Sequence, residues 1–126
     1  MSHIPQITFR RIQHSHAVEN AILKRMEKIE GSYRGLGQWY VVVDSPHRHH
    51  QQGNHFHVRV CLSVRGTPIL VGHPHSKRQA TEDIFDAVHG TFDAVERRIR
   101  GMEGKRQAKR ARLGREKHYP KELLWA

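Results

Sequence analysis

The sequence predicts an α+β domain in two layers, ordered β-α-β-β-β-α, with a four-stranded sheet and both helices on one face. Three observations carry this expectation. Phe56, Val58, Val60, Leu62 and Val64 alternate with His55, His57, Arg59, Cys61, Ser63 and Arg65. That period of two marks a strand with one covered and one wetter face, typical of antiparallel pairing. Val18, Ile22, Met26 and Ile29 recur at helical intervals, and so do Ile84, Val88, Thr91, Val95, Ile99 and Met102, which gives two amphipathic helices to lay on the sheet.

Each element has a local justification. Gln6 to Arg10 reads as a short strand, with Ile7 and Phe9 between polar neighbours and Pro5 at its start, where a missing N–H is tolerated. The first helix starts at Ser15 as N-cap and ends at Gly31, which can turn left-handed without a Cβ penalty. Lys24, Arg25 and Lys28 lie off its apolar stripe and are expected to face water. Trp39 to Val43 is aromatic and β-branched, a second strand, closed by Asp44-Ser45-Pro46. A polar loop from His47 to Asn54 leads into the alternating third strand. Gly66-Thr67-Pro68 is expected to turn the chain into a fourth strand at Ile69-Leu70-Val71. A polar loop spans His73 to Ala80. Ser76 and Gln79 could form a capping box there, but Thr81, followed by Glu82 and Asp83, is the favoured N-cap of the second helix. Phe85 and Phe92 flank that helix's stripe. Gly101 and Gly104 each cost about 1 kcal/mol of helix propensity, so order is expected to decay there.

With 126 residues, the chain has room for one domain. The expected division is a folded domain over residues 1–104 and a basic, flexible tail over 105–126. Hydrophobic residues make up 37% and charged residues 27%, enough for one modest core, while no apolar run could span a bilayer. The N-terminus, Met-Ser-His-Ile-Pro-Gln, lacks the basic-then-apolar pattern of a secretory signal. Cys61 is the one cysteine, so no intrachain disulfide forms and a Cys-rich zinc site is excluded. These features predict a cytoplasmic protein.

Charge is the most informative compositional feature. The formal net charge is +10, and ten of the 22 Lys and Arg residues lie between Arg97 and Lys117, opposed there only by Glu103 and Glu116. A surface of that kind requires a polyanion, and nucleic acid is the commonest one. The stretch lacks the Trp, Phe and Leu face of an interfacial helix, which argues against a membrane partner. The candidate nucleic-acid contacts are Lys24, Arg25 and Lys28 on the first helix, Arg97, Arg98 and Arg100 on the second, and Lys105, Arg106, Lys109 and Arg110 in the tail. Charge runs are more often simply solvated, but the size of this imbalance and the second basic group on a neighbouring helix favour binding. Tyr33, Trp39 and Tyr40 could stack on bases, although aromatic residues in or beside a β-rich strand more often belong to the core.

The twelve histidines raise a metal reading. His47, His49, His50, His55 and His57 cluster, but neither a His-Glu-x-x-His motif nor a Cys pair accompanies them. The loop His47-Arg48-His49-His50 is better read as a possible RNA contact, with no metal and no cofactor. Cys61 lies mid-strand without a base near it in sequence, and Glu82, Asp83 and Asp86 suit a helix start. No phosphate loop or nucleophile elbow is present, so no enzyme is expected and no small-molecule substrate is implied. A general RNA- or DNA-binding regulatory module and, below it, a metal-binding His loop are the alternative readings.

In order and spacing the chain resembles a known family. Gln6-Ile7-Thr8-Phe9-Arg10 precedes a helix with Ala17-Val18-Glu19 and Glu27-Lys28-Ile29-Glu30. Tyr40-Val41-Val42-Val43, Pro46-His47-Arg48-His49-His50, Gly53 and His57-Val58-Arg59-Val60 follow. Glu82-Asp83-Ile84-Phe85-Asp86-Ala87-Val88 then runs into Phe92-Asp93-Ala94-Val95-Glu96-Arg97-Arg98-Ile99. This ordered set is similar to the ribosome hibernation-promoting factor and ribosome-associated inhibitor family, also labelled sigma-factor modulation proteins, in its short type. The resemblance implies a fold like that of double-stranded-RNA-binding domains. It implies binding of a monomer to 16S rRNA in the decoding channel of the small subunit, alone or within the 70S ribosome, with mRNA and tRNA blocked under stress. The long type carries a further dimerisation domain, for which about 22 tail residues are too few.

Overall fold

A parallel pair of strands needs a crossover connection, and the first helix supplies it. The computed structural model describes residues 4–45, 56–72 and 83–117, with side chains as far as Gly114. Its elements are β1 (Gln6–Arg10), α1 (His16–Ser32), β2 (Leu36–Asp44), β3 (His57–Val64), β4 (Thr67–Gly72) and α2 (Ile84–Lys117). The sheet order is β1-β2-β3-β4. β1 runs parallel to β2, while β2 with β3 and β3 with β4 are antiparallel. The chain divides into two compact units, Met1–Glu96 and Arg97–Ala126, with the boundary inside α2.

The register puts the apolar alternation of every strand on one face. Ile7 lies beside Val41, Val41 beside Val60 and Val60 beside Val71. In the next rows Phe9 pairs with Val43 and Val43 with Val58, while Trp39 pairs with Leu62 and Leu62 with Ile69. Trp39, Val41, Val43, Val58, Val60, Leu62, Val64, Ile69 and Val71 are all buried. Both helices cover this face in the first unit. From α1 come the buried side chains of Val18, Ile22, Met26 and Ile29, and from α2 those of Ala87, Val88, Phe92 and Val95. The Trp39 indole N–H donates to Glu30 Oε1 at 2.8 Å, and its ring lies 5.9 Å from that of Phe92. Trp39 is therefore a core residue with its polar atom satisfied, while Tyr40, one residue on, points to the opposite face.

Several local expectations change. Ser15 does cap α1, its hydroxyl accepting from the Val18 N–H at 3.3 Å, but the helix passes Gly31 and ends at Tyr33, whose N–H donates to the Ile29 carbonyl at 3.0 Å. The left-handed glycine is Gly35, at φ 78° in the turn before β2. The β3–β4 hairpin turns on Arg65 and Gly66, with φ 49° and 82°, not on Gly66-Thr67-Pro68. Two consecutive positive φ values match the twist of a two-residue hairpin. Pro68 then falls inside β4, opposite Ser63, which is tolerated on an edge strand. The expected caps of α2, Ser76 or Thr81, lie outside the described residues. The cap seen is Asp83, whose Oδ1 accepts from the N–H groups of Phe85 at 2.8 Å and Asp86 at 3.4 Å. A carboxylate there satisfies two orphan donors and the helix dipole together.

The largest correction concerns the C-terminal segment. Where order was expected to decay after Gly104, α2 continues through Gly101 and Gly104 to Lys117. Helix propagation is cooperative, and isolated glycines among Arg, Lys, Glu, Gln and Ala are crossed at about 1 kcal/mol each.

At the sheet end, Arg11 stands at φ 56° just after β1. Its Nε and Nη2 donate to the two carboxylate oxygens of Asp44 at 3.0 and 2.7 Å. Burial pushes the Asp44 carboxyl up, but the hydrogen bonds and charge of Arg11 outweigh it and hold the group below its ordinary value. The bidentate pair fixes the last residue of β2 where the chain leaves the sheet.

Candidate nucleic-acid interface

The predicted contacts on α1 do not share one role. Lys24 and Lys28 are exposed one helical turn apart, as a solvated basic face requires. Arg25 does not face water: its side chain is 15% exposed. Unlike Lys24 and Lys28, it stands at i+7 from Val18, i+3 from Ile22 and i−4 from Ile29, at the edge of the apolar stripe, and α2 lies beside α1 at that edge and supplies partners. Arg25 Nη2 donates to Asp93 Oδ1 at 2.7 Å and Glu96 Oε1 at 3.1 Å. Its Nη1 lies 3.0 Å from His89 Nδ1 and 3.4 Å from the His89 carbonyl oxygen, and its guanidinium carbon is 5.9 Å from the Phe92 ring centroid. This charge is matched within the fold, and the side chain clasps the two helices. Arg25→Ala is expected to lower stability by about 1–2 kcal/mol in urea unfolding, whereas Lys24→Ala with Lys28→Ala changes it by less than about 0.5 kcal/mol.

The basic residues of α2 beyond Glu96 form a pattern within their own unit. Arg97, Arg98 and Arg100 are exposed, and so are Lys105, Lys109, Arg110 and Arg112. Because the segment is helical to Lys117, spacing becomes direction. Arg98, Lys105, Lys109 and Arg112 stand at i, i+7, i+11 and i+14, one face of a helix. At 1.5 Å per residue they make a stripe roughly 21 Å long. Arg106 and Arg110 form a neighbouring row at i, i+4. Arg106 Nη1 meets Glu103 Oε2 at 3.6 Å, and its side chain is only part-exposed, so its charge is partly spent locally. Arg112 was not among the candidate contacts. The signal that finds it is the helical spacing, unreadable while the segment was expected to lack a helix. Between Arg98 and Arg112 no acidic residue lies on this face.

His47, Arg48, His49 and His50, the predicted loop contact, lie outside the described residues, as does His55. His57 is the first residue of β3. Among the described residues one group could hold a cation: the ligand atoms of His14, His16 and Glu19 lie within 4.8 Å of one another. His14 Nε2 is 2.6 Å from Glu19 Oε2. Two ligands of one tetrahedral zinc, on bonds of about 2.0–2.1 Å, stand about 3.3 Å apart, so this is the spacing of a hydrogen-bonded pair. It places a carboxylate in the first turn of α1, where the dipole favours one. Cys61 is half-buried in β3. Among the described helices none is long and apolar enough to cross a membrane.

The family model described as sigma 54 modulation protein / S30EA ribosomal protein matches residues 6–107. No curated protein sequence matches the chain. Solved structures share the fold, two of them as follows. A ribosomal subunit interface protein from Coxiella burnetii superposes with a TM-score of 0.64 at 12% identity, over 79% of this chain and 97% of that one. The N-terminal domain of Thermus thermophilus Protein Y superposes with a TM-score of 0.60 at 13% identity, over 77% of this chain and 94% of that one.

Proposed function

The chain belongs to the sigma 54 modulation protein / S30EA ribosomal protein family, and from that premise we propose that it is a ribosome-associated translation inhibitor of the hibernation type. It binds 16S rRNA in the decoding channel of the small subunit, free or within the 70S ribosome, and blocks mRNA and tRNA by occupancy during stress. It acts as a cytoplasmic monomer and performs no chemistry. The observation that carries this reading is the basic stripe of Arg98, Lys105, Lys109 and Arg112 on a family member. A run of exposed cations along one helical face is suited to a polyphosphate backbone and needs no sequence readout. Lys24 and Lys28 in the first unit and Arg97 and Arg100 in the second add contacts, while Arg25 ties α1 to α2 within the first unit. Residues 1–104 carry Lys24, Lys28, Arg97, Arg98 and Arg100, which suffice for occupancy, and the segment from Lys105 adds affinity through the rest of the stripe. The histidine loop from His47 to His50 is a further RNA contact.

Occupancy has a kinetic signature. Inhibition of in-vitro translation is expected to titrate one-for-one with ribosomes, to reverse on dilution, and to be relieved by excess mRNA with initiator tRNA. The fragment 1–104 should still inhibit, at higher concentration. In gradients of stationary-phase lysates the protein should sediment with small subunits and 70S particles. Silencing by substoichiometric protein, or cleaved or modified rRNA afterwards, would show an enzyme instead. Sedimentation with bulk RNA or DNA but not ribosomes would favour the general nucleic-acid-binding module.

A further inference from the structure

Both helices lie on one face of the sheet, and no described element covers the other. The register composes that open face. Its central row is Gln6, Tyr40, Cys61 and Leu70, from β1 to β4, and the next is Thr8, Val42, Arg59 and Gly72. Tyr40 is 47% exposed and Leu70 65% exposed, although both sit mid-strand in a domain that buries every other alternate residue around them. Between them Cys61 is half-buried, leaving a shallow seat with an aromatic ring on one side and an aliphatic side chain on the other.

The charge on this face has one sign. Arg59 and Arg10 are exposed. The carboxylate that shares the face, Asp44, is buried and bound bidentately by Arg11. Arg59 is laid flat: a Cβ at Gly72 would stand 3.3 Å from Arg59 Cγ, so the glycine leaves room for the stem to cross β4. No ion pair holds the Arg59 guanidinium among the described residues. In an antiparallel pair, diagonal neighbours such as Tyr40 and Arg59 stand about 7–8 Å apart.

Resting on the ribosome-binding reading above, we propose that this open sheet face is a second RNA site, which takes a single-stranded segment of ribosomal RNA. A base stacks on Tyr40 over the Cys61 seat, Leu70 packs its far edge, and Arg59 and Arg10 take the flanking phosphates. Stacking needs an unpaired base, because bases within a duplex are closed to side chains. An aromatic ring beside cations on a flat sheet is how sequence-tolerant single-strand platforms are built. A second copy of the chain is the poorer occupant, since it would set the cations of one face against those of another.

Cys61 is the chain's one cysteine, which makes it a reporter at the centre of the seat. The experiment measures maleimide labelling of Cys61 in the full chain, free and bound to small subunits freed of mRNA. Labelling is expected to slow at least tenfold on the subunit. Tyr40→Ala is expected to weaken binding about tenfold, Tyr40→Phe to keep it, and Arg59→Gln to weaken it and lower the salt dependence. Ultraviolet cross-linking should join the Tyr40 peptide to an rRNA nucleotide. Unchanged labelling on bound subunits, or wild-type affinity of Tyr40→Ala, overturns the inference and leaves the ribosome-binding reading standing. Protection that requires an added oligonucleotide, a cross-link to a ribosomal protein, or concentration-dependent protection of the free chain also overturns it, in favour of mRNA, a protein contact or self-association. A chain absent from subunits altogether overturns the ribosome-binding reading itself, and this inference with it.

Discussion

Replacing Arg98, Lys105, Lys109 and Arg112 together by Ala is expected to weaken binding to small subunits about a hundredfold at roughly 50 mM salt, and to lower the salt slope by about 3. The slope carries the argument. Each phosphate neutralised releases condensed counterion, so four lost contacts remove about 0.7–0.9 each from the dependence of log K on log salt. A merely solvated charge run would change neither quantity. Unfolding cannot mimic the result, because Ala has the highest helix propensity and all four side chains are exposed. Circular dichroism should therefore show helicity equal to or above that of the parent. Arg106→Ala is the internal comparison. Its charge is shared with Glu103, so it should lower the slope by less than one contact's worth. An affinity and slope unchanged in the fourfold variant would remove the stripe from the interface.

Phe92→Ala is expected to cost about 3–5 kcal/mol, a large share of the roughly 5–15 kcal/mol that holds a domain of this kind. Phe92 is fully buried, faces Trp39 at 5.9 Å between ring centroids and lies beneath the guanidinium of Arg25. Removing it opens a cavity where the sheet and α2 meet and takes away the ring against which Arg25 is ordered. Thermal unfolding should fall by about 10–30 °C. Phe85 lies seven residues earlier on the same helix and is 39% exposed, so Phe85→Ala is expected to cost no more than about 1 kcal/mol. Equal losses for the two would mean that Phe92 is not the centre of this core.

The pair also shows where a sequence stops being informative. Phe85 and Phe92 look alike in the pattern, since both flank the apolar stripe of α2. Only the packing of that helix on the sheet separates a core ring from a surface one. Tyr40 and Trp39 are a similar case. Both read as strand aromatics with a core bias, and strand pleat alone says that they point opposite ways. Which way faces the helices depends on pairing with β1 and β3.

By itself, the sequence determined the order of elements, the apolar face of each, the cap at Ser15 and the sign and place of the charge. These follow from periods of 2 and 3.6 residues and from composition, which are local quantities. It also carried enough ordered similarity to point to the family. Tertiary structure decided the rest. Arg25 changed from a solvated cation to a clasp because its partners, Asp93 and Glu96, are distant in sequence and adjacent only once α1 and α2 share a face. The Arg98–Arg112 stripe exists because α2 crosses its glycines, an outcome of cooperative helix propagation and not of any single residue's preference. The open sheet face with Tyr40, Cys61, Leu70 and Arg59 exists because four strands chose one register, and pairing energy between strands is written in no single strand.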